Sequence, residues 1–304
     1  DWFVDGASAF ARKLNLPEIL VGATVVSIGT TLPELMVSSA SAATGHGEIA
    51  YGNAIGSIIC NTALIAAVTM AVMPGIIKRS SLVVPSAAFL AASAVYVIVS
   101  YTLGKFTRIS GIILTALFVI YMFISVKQSL KEYKLGSNGC AEVQAENMPG
   151  WKMILFLVLG AALVAVGAKL LIDNGTKLAQ ALGVPESVIA ITMVALGTSL
   201  PELVTAVTSI IKKHSELSLG NIIGANLFNL VLVSGVSIII NPFDIPAEKT
   251  LAGINSSLLV DIPMMIVCVG IMIIPPLVKS RIYRWQGIVL LAMYAAFVVY
   301  QFVV

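Results

Sequence analysis

Two glutamates stand where an acid is hard to keep. Glu34 and Glu202 each lie near the middle of a long apolar stretch, inside the strings Gly29-Thr30-Thr31-Leu32-Pro33-Glu34 and Gly197-Thr198-Ser199-Leu200-Pro201-Glu202. An ionisable group at membrane depth is costly and is a functional candidate by default. The glycine and proline beside each acid break a helix, because proline removes an N–H donor and clashes with the preceding turn. A broken helix leaves carbonyls free at the end of its first half. Carbonyl, hydroxyl and carboxylate oxygens are hard ligands, suited to Na⁺ or Ca²⁺ rather than to soft metals. If the second half-helix begins near Thr30, then Thr30, Thr31 and Glu34 share one face, as do Thr198, Ser199 and Glu202.

A second motif follows each acid: Gly52-Asn53-x-x-Gly56-Ser57-x-x-x-Asn61, and Gly220-Asn221-x-x-Gly224-Ala225-x-x-x-Asn229. Glycines four apart make a small-residue face that lets helices approach closely. Asn61 and Asn229 supply amide oxygens near the membrane middle, and Ser57 adds a hydroxyl that Ala225 cannot. Bringing both motifs together at the midplane gathers two carboxylates, two amides and several hydroxyls. Two carboxylates balance one Ca²⁺ or two Na⁺, and competition for shared ligands is the simplest physical basis for antiport. The blander readings are a satisfied structural carboxylate for each glutamate and interhelical hydrogen-bond glue for Asn61 and Asn229. Asn53 and Asn221 read as helix-packing polar groups. Thr24 and Thr192 read as bonded back to their own helices.

The motifs are duplicated because the chain is. Shifted by 168 residues, it matches itself without a gap from Asp5 to Asn61, with 21 of 57 positions identical. A weaker match continues at a shift of 176, pairing Ser80-Ser81-Leu82 with Ser256-Ser257-Leu258 and Gly111 with Gly287. Asp261, the remaining acid within a span, faces Pro85 in this alignment. It therefore falls outside the duplicated site, and a salt bridge or cap near the outer surface is expected. Asp5 and Asp173, at helix ends, are expected to pair with nearby Lys or Arg. His46 and His214 read as solvated loop residues.

These motifs need a membrane around them. Of 304 residues, 58% are hydrophobic and 11% charged, against about 25% charged in soluble domains. A soluble globule is thereby close to excluded. Apolar blocks of helix length fall at 17–43, 48–73, 81–103, 109–126, 151–172, 186–211, 217–240, 251–277 and 285–304. The residues before Asp173 form an apolar helix, whereas only four precede Asp5. The expectation is an all-α polytopic fold of ten helices, five per half, with most of the first helix missing from this chain. Residues 1–126 form the first half, 127–150 a linker and 151–304 the second half. Odd halves insert with opposite orientations, as in inverted-repeat transporters. On that topology the inside loops hold thirteen Lys and Arg and the outside loops four, which fits the positive-inside rule and puts the linker in the cytoplasm. The net charge of +3 and the lack of a basic arm suggest no nucleic-acid partner. Three scattered cysteines make neither a disulfide framework nor a zinc site.

The duplicated strings resemble the α-repeats of the sodium/calcium exchanger family within the cation/Ca²⁺ exchanger superfamily, over nearly the whole chain. The resemblance implies that Glu34 and Glu202 are the central Ca²⁺ ligands, flanked by Thr30, Thr31, Ser57, Thr198 and Ser199; the residue reading above adds the amides of Asn61 and Asn229. It implies a Na⁺/Ca²⁺ antiporter of the prokaryotic plasma membrane that works by alternating access, two long helices sliding across the core. Ca²⁺ and Na⁺ are its transported ions. No cofactor is expected, the lipid bilayer is the other partner, and the chain is expected to be monomeric. Two departures stand in the second copy. Archaeal relatives carry an aspartate in place of Asn229 and a serine in place of Ala225, which bears on Na⁺ stoichiometry and argues against K⁺ co-transport. A Ca²⁺/H⁺ antiporter of the same fold is the alternative, although the acid-bearing strings lack that branch's pattern. An intramembrane enzyme is disfavoured: there is no HExxH, no intramembrane Asp pair and no Ser/His pair at membrane depth. A passive channel fits the duplicated broken helices less well than alternating access does.

Overall fold

The structure, a computed structural model, describes residues 2–13, 18–77, 79–134, 148–181, 194–247, 249–251 and 253–303. The first half comprises α1 (Trp2–Lys13), α2 (18–30), α3 (Leu32–Ala43), α4 (Gly47–Val72), α5 (Arg79–Leu103) and α6 (Arg108–Lys134). The second comprises α7 (Gly150–Ala181), α8 (Ala195–Thr198), α9 (Leu200–Ile211), α10 (215–240), α11 (Ser257–Lys279) and α12 (Arg284–Val303). Among the described residues, six helices are long and apolar enough to cross a membrane: α4, most of α5 and α6, α10, α11 and α12. The blocks at 17–43 and 186–211 are instead interrupted, at Thr31 and Ser199, and residues 186–193 of the latter lie outside the described residues. Helix α6 runs on to Lys134, into the stretch expected to be linker. The first residues of the block at 251–277 belong to a short hairpin, β3 (Thr250–Leu251) with β4 (Ile254–Asn255), turned at Gly253.

The helices sort into an inner pair and an outer shell. The apolar windows of α4 and α10 are 78% and 83% buried, whereas those of α6 and α12 are 28% buried. Helices that are apolar all round belong in a core, and those with exposed apolar faces suit lipid. The inner pair carries both Gly-Asn motifs. With no hydrophobic effect to drive helix association in lipid, close approach through small residues does much of the packing. A Cβ on Gly22 would sit 2.5 Å from the Leu217 carbonyl oxygen and 2.7 Å from the Asn221 nitrogen, so α2 crosses α10 backbone to backbone. A Cβ on Gly224 would meet Ser27 Oγ at 2.2 Å at the same crossing.

The two halves are related by a pseudo-two-fold exchange of contacts. Gly111 of α6 abuts the Gly235 carbonyl in α10, and its repeat partner Gly287 of α12 abuts the Ala67 carbonyl in α4. Ile245 N–H donates to the Gly104 carbonyl at 3.1 Å, and Ile77 N–H donates to the Ser280 carbonyl at 3.0 Å. Strand β1 (Lys105–Phe106) pairs antiparallel with β2 (Phe243–Asp244), while Ile76 bridges Arg281 in the same sense. Each half thus closes the end of the other's inner helix. Helix α1 lies along α7, where the Trp2 and Phe156 rings stack at 5.5 Å and Gly6 and Gly160 admit the partner backbone.

Candidate ion-binding site

The two acid-bearing strings fold alike. Helix α2 stops at Thr30, Thr31 takes φ −85° and ψ 0°, and α3 starts at Leu32. Ser199 takes φ −81° and ψ 5° between α8 and α9. Pro33 and Pro201 stand in the first turn of the second helix, where a missing N–H costs least. What each proline cannot do is donate to the carbonyl four residues back, that of Gly29 or Gly197, so the regular helical ladder stops there. The interruption is one residue long. Thr31 N–H still donates to the Ser27 carbonyl at 2.9 Å and Leu35 N–H to the Thr31 carbonyl at 3.1 Å. Thr30 and Thr198 therefore close the first half-helix instead of opening the second. Each meets the glutamate of the opposite repeat, Thr198 beside Glu34 and Thr30 beside Glu202, not the one on its own helical face. Glu34 and Glu202 sit in the first turn of α3 and α9, where the helix dipole favours a negative charge.

The Gly-Asn helices add a second duplicated irregularity. Asn61 begins a π-helical turn, Asn61–Ala66, in α4, and Asn229 begins another, Asn229–Val233, in α10. Such turns cluster at functional sites, where the widened ring re-aims side chains. All nine expected site residues are buried, none more than 2% exposed. Both carboxylate oxygens of Glu34 and of Glu202, both amide atoms of Asn61 and of Asn229, and the hydroxyls of Thr31 and Ser199 have no hydrogen-bond partner. Glu34 lies beside the Thr198 and Ser199 hydroxyls and within electrostatic reach of Glu202, and Glu202 lies beside Thr30. The site thus draws on both repeats. Ser57 Oγ is 3.3 Å from Thr198 Oγ1.

Unpartnered buried polar atoms are rare and call for an explanation. An ionised carboxylate removed from water costs several kcal/mol unless a counter-charge offsets it. Among the described residues, neither glutamate has a basic partner; Lys212 pairs instead with Asp5, 2.6 Å away near a helix end. Nor, among the described residues, does any group of three or more His, Cys, Asp or Glu assemble. Carboxylate, hydroxyl and amide oxygens are the donor types that hard cations take.

Sequence reasoning placed Asn53 and Asn221 as packing groups, and they are that, but across the repeat boundary. Thr198 donates to Asn53 Oδ1 at 2.9 Å, and Thr30 donates to Asn221 Oδ1 at 3.1 Å. Asn53 Nδ2 donates to the Glu34 carbonyl at 3.2 Å and to Ser38 Oγ at 2.8 Å. Asn226 Nδ2 adds another cross-repeat bond, to Thr62 Oγ1 at 2.7 Å, for which the alignment carries no signal because the counterpart of Asn226 is Ile58. Thr24 does bond back to the Leu20 carbonyl, at 2.7 Å. Thr192 lies outside the described residues, as does the side chain of Asp173, whose backbone belongs to α7. Asp261 is separate from the site. It accepts from Gln301 Nε2 at 3.0 Å, and the Gln301 carbonyl takes Lys249 Nζ at 2.6 Å. Its described partner is thus an amide, with the lysine one step beyond. Partial burial of that loop lysine pulls its ammonium below the usual lysine range, against the pull of Asp261.

The sodium/calcium exchanger protein family model matches residues 1–127 and 152–303, leaving out only the segment between the halves and the last residue. The chain belongs to that family. Its similarity to individual proteins also runs over most of the chain. It is 31% identical to the sodium/calcium exchanger MaX1 of Methanosarcina acetivorans, over 99% of this chain and 94% of that protein. It is 35% identical to inner membrane protein YrbG of Escherichia coli, over 88% of this chain and 83% of that protein. A solved structure of the sodium-calcium exchanger NCX_Mj soaked with Na⁺ and Sr²⁺ superposes with a TM-score of 0.79 at 31% identity, covering 98% of this chain and 92% of that one. The exchanger fold is therefore all-α and polytopic here as well, and the protein is a multi-pass cation/Ca²⁺ exchange transporter.

Proposed function

We propose that this exchanger is a Na⁺/Ca²⁺ antiporter that carries Ca²⁺ between Glu34 and Glu202, with Thr30, Thr31, Ser57, Asn61, Thr198, Ser199 and Asn229 as neutral oxygen donors. The observation that carries this reading is the four carboxylate oxygens, fully buried, reaching no hydrogen-bond partner and, among the described residues, no basic one. A divalent cation cancels both charges at once. Monovalent Na⁺ must enter in at least two copies to do the same, so the two ions exclude one another at shared ligands and their fluxes oppose. Support also comes from the relatives: MaX1 is named a sodium/calcium exchanger, and NCX_Mj is described as exchanging extracellular ions with occlusion of its binding site. The segment between the halves is proposed to be cytoplasmic, following the lysine and arginine bias of the loops.

The test is ⁴⁵Ca²⁺ uptake into proteoliposomes under an imposed Na⁺ gradient, compared with an imposed pH gradient of equal energy. Na⁺-driven uptake is expected, and uptake driven by pH alone would establish proton coupling instead. Glu34→Gln and Glu202→Gln should each abolish uptake, since either leaves half of the charge that balances Ca²⁺. Near-normal flux in either variant would remove that glutamate from the site.

A further inference from the structure

The cross-repeat bonds carry a consequence for how the threonines meet an ion. The Glu34 carbonyl can only accept, so Asn53 must turn Nδ2 towards it and towards Ser38, 3.2 and 2.8 Å away. That orientation leaves Oδ1 facing Thr198, at 2.9 Å. An amide oxygen cannot donate, so Thr198 must. A hydroxyl has one proton, and the other neighbours of Thr198 Oγ1 are the Ala195 carbonyl at 3.2 Å and Ser57 Oγ at 3.3 Å. The Glu34 carboxylate lies beside Thr198 as well and competes for that proton, but the geometry favours Asn53, at 2.9 Å, since the carboxylate oxygens reach no hydrogen-bond partner. Lone pairs of two oxygens then face each other, an arrangement that becomes favourable when a cation sits between them.

We propose that Asn53 and Asn221 are positioning residues that act through the threonine of the opposite repeat. Each draws the hydroxyl proton of Thr198 or Thr30 away from the carboxylates, so that the threonine oxygen meets the ion only as an acceptor. This rests on the ion site proposed above and adds how that site is tuned. The two clamps are unequal. Asn53 is tied at both ends, whereas Asn221 Nδ2 has no acceptor, because Ala206 occupies the place that Ser38 holds in the first repeat. Ser27 Oγ approaches Asn221 Oδ1 at 3.3 Å, but its shorter contacts are to the Gly22 and Asn221 carbonyls, at 2.7 and 2.9 Å. The Asn221 amide is thus held at one end, and Thr30 is less strictly oriented than Thr198.

The test is equilibrium ⁴⁵Ca²⁺ binding to the purified full chain in Na⁺-free detergent solution, with the thermal unfolding midpoint read in parallel. Asn53→Leu removes the acceptor at nearly constant volume and Thr198→Val removes the hydroxyl. Each is expected to weaken binding about tenfold, the scale of one hydrogen bond to a charged group. The double variant should bind no more weakly than Thr198→Val alone, because the asparagine has nothing left to act through. Thr198→Ser, which keeps the hydroxyl, should recover most of the binding that Thr198→Val loses. Losses that multiply in the double variant would show Asn53 to be merely structural and overturn the proposal. Ala206→Ser keeps the test alive if Asn53→Leu does not fold. Supplying the missing acceptor should tighten Ca²⁺ binding two- to threefold, and only while Asn221 is present; unchanged or weaker binding overturns the unequal clamps. Glu34→Gln and Glu202→Gln separate the two readings. If they keep Ca²⁺ binding, the site itself is wrong. If they lose it while the Asn53 and Thr198 effects multiply, only the clamp is wrong.

Discussion

The two repeats agree in their charges and disagree in their hydroxyls. Glu34 and Glu202 match, as do Asn61 and Asn229 at the head of their π-helical turns, and Asn53 and Asn221 across the interface. Ser27, Ser38 and Ser57 of the first repeat, however, become Ala195, Ala206 and Ala225 in the second. On the proposed mechanism, balancing one divalent ion takes both acids, so neither copy could lose its own. A neutral oxygen contributes less and can be supplied by either side. The duplication is thus held at the charged centre and relaxed around it. The site is two-fold in its carboxylates and lopsided in its neutral donors, with the richer shell on the first half.

The largest effect expected away from the acids comes from the crossing that brings the repeats together. Gly22→Val and Gly224→Val each push a side chain into backbone or into Ser27, at 2.5 Å and 2.2 Å for the first carbon alone. Backbone cannot turn aside as a flexible side chain can, and overpacking of this kind costs about 1–3 kcal/mol or more. We expect both variants to lose Ca²⁺ binding and most of their folded yield, measured by size-exclusion chromatography in detergent. Normal yield with normal binding would mean that the cross-repeat contact is dispensable.

Charge at the poorer half should matter next. Asn229→Asp places a third carboxylate in the buried site and should strengthen Na⁺ competition against Ca²⁺ binding, with a K⁺ effect as a possible by-product. Unaltered Na⁺ competition would show that Asn229 does not face the ion. A smaller change should follow from moving a hydroxyl between halves. Ser57→Ala is expected to weaken Ca²⁺ binding severalfold, on the scale of about 1 kcal/mol for one neutral donor. Adding Ala225→Ser to that variant should recover part of the loss. If the second hydroxyl recovers nothing, the neutral shell is not interchangeable between repeats.

Much of this was legible before any coordinates. The acids and amides were found because duplication marks them and because glycine and proline beside a carboxylate have few other uses in an apolar stretch. The start of the second half-helix was placed near Thr30, two residues before Leu32. Thr30 was grouped with Glu34 by helical spacing, which counts residues along one helix and cannot see that Thr31 divides two. The partnership of Thr198 with Asn53 was illegible for another reason. The residues are 145 apart in sequence, and an inverted repeat encodes its interface only in how two copies meet. The π-helical turns left no readable mark, since one extra residue in a turn does not disturb an apolar block of this length.

The smallest effect tests the same comparison at the helix ends, where conformation is duplicated and residue type is not. Gly45 has φ +88° and its repeat partner Lys213 has φ 62°; Gly104 has φ +64° and its partner Ser280 has φ 52°. All four hold the left-handed conformation that ends a helix, which glycine adopts freely and other L-residues at a cost of roughly 1–2 kcal/mol. The conformation is required at the second pair because the Ser280 carbonyl accepts Ile77 N–H just as the Gly104 carbonyl accepts Ile245 N–H. The first half therefore meets each turn with the unstrained residue and the second half does not. Ser280→Gly and Lys213→Gly should each stabilise the protein by about 1 kcal/mol. Gly45→Ala and Gly104→Ala should destabilise it by a similar amount, and nothing lies within 4 Å of either added carbon to confuse the result. Thermal unfolding in detergent reads all four. Ca²⁺ binding should stay unchanged throughout, because these turns lie at the helix ends, away from the carboxylates. A stabilised Ser280→Gly that exchanged ions more slowly would instead reveal that strain at this turn serves the transport cycle.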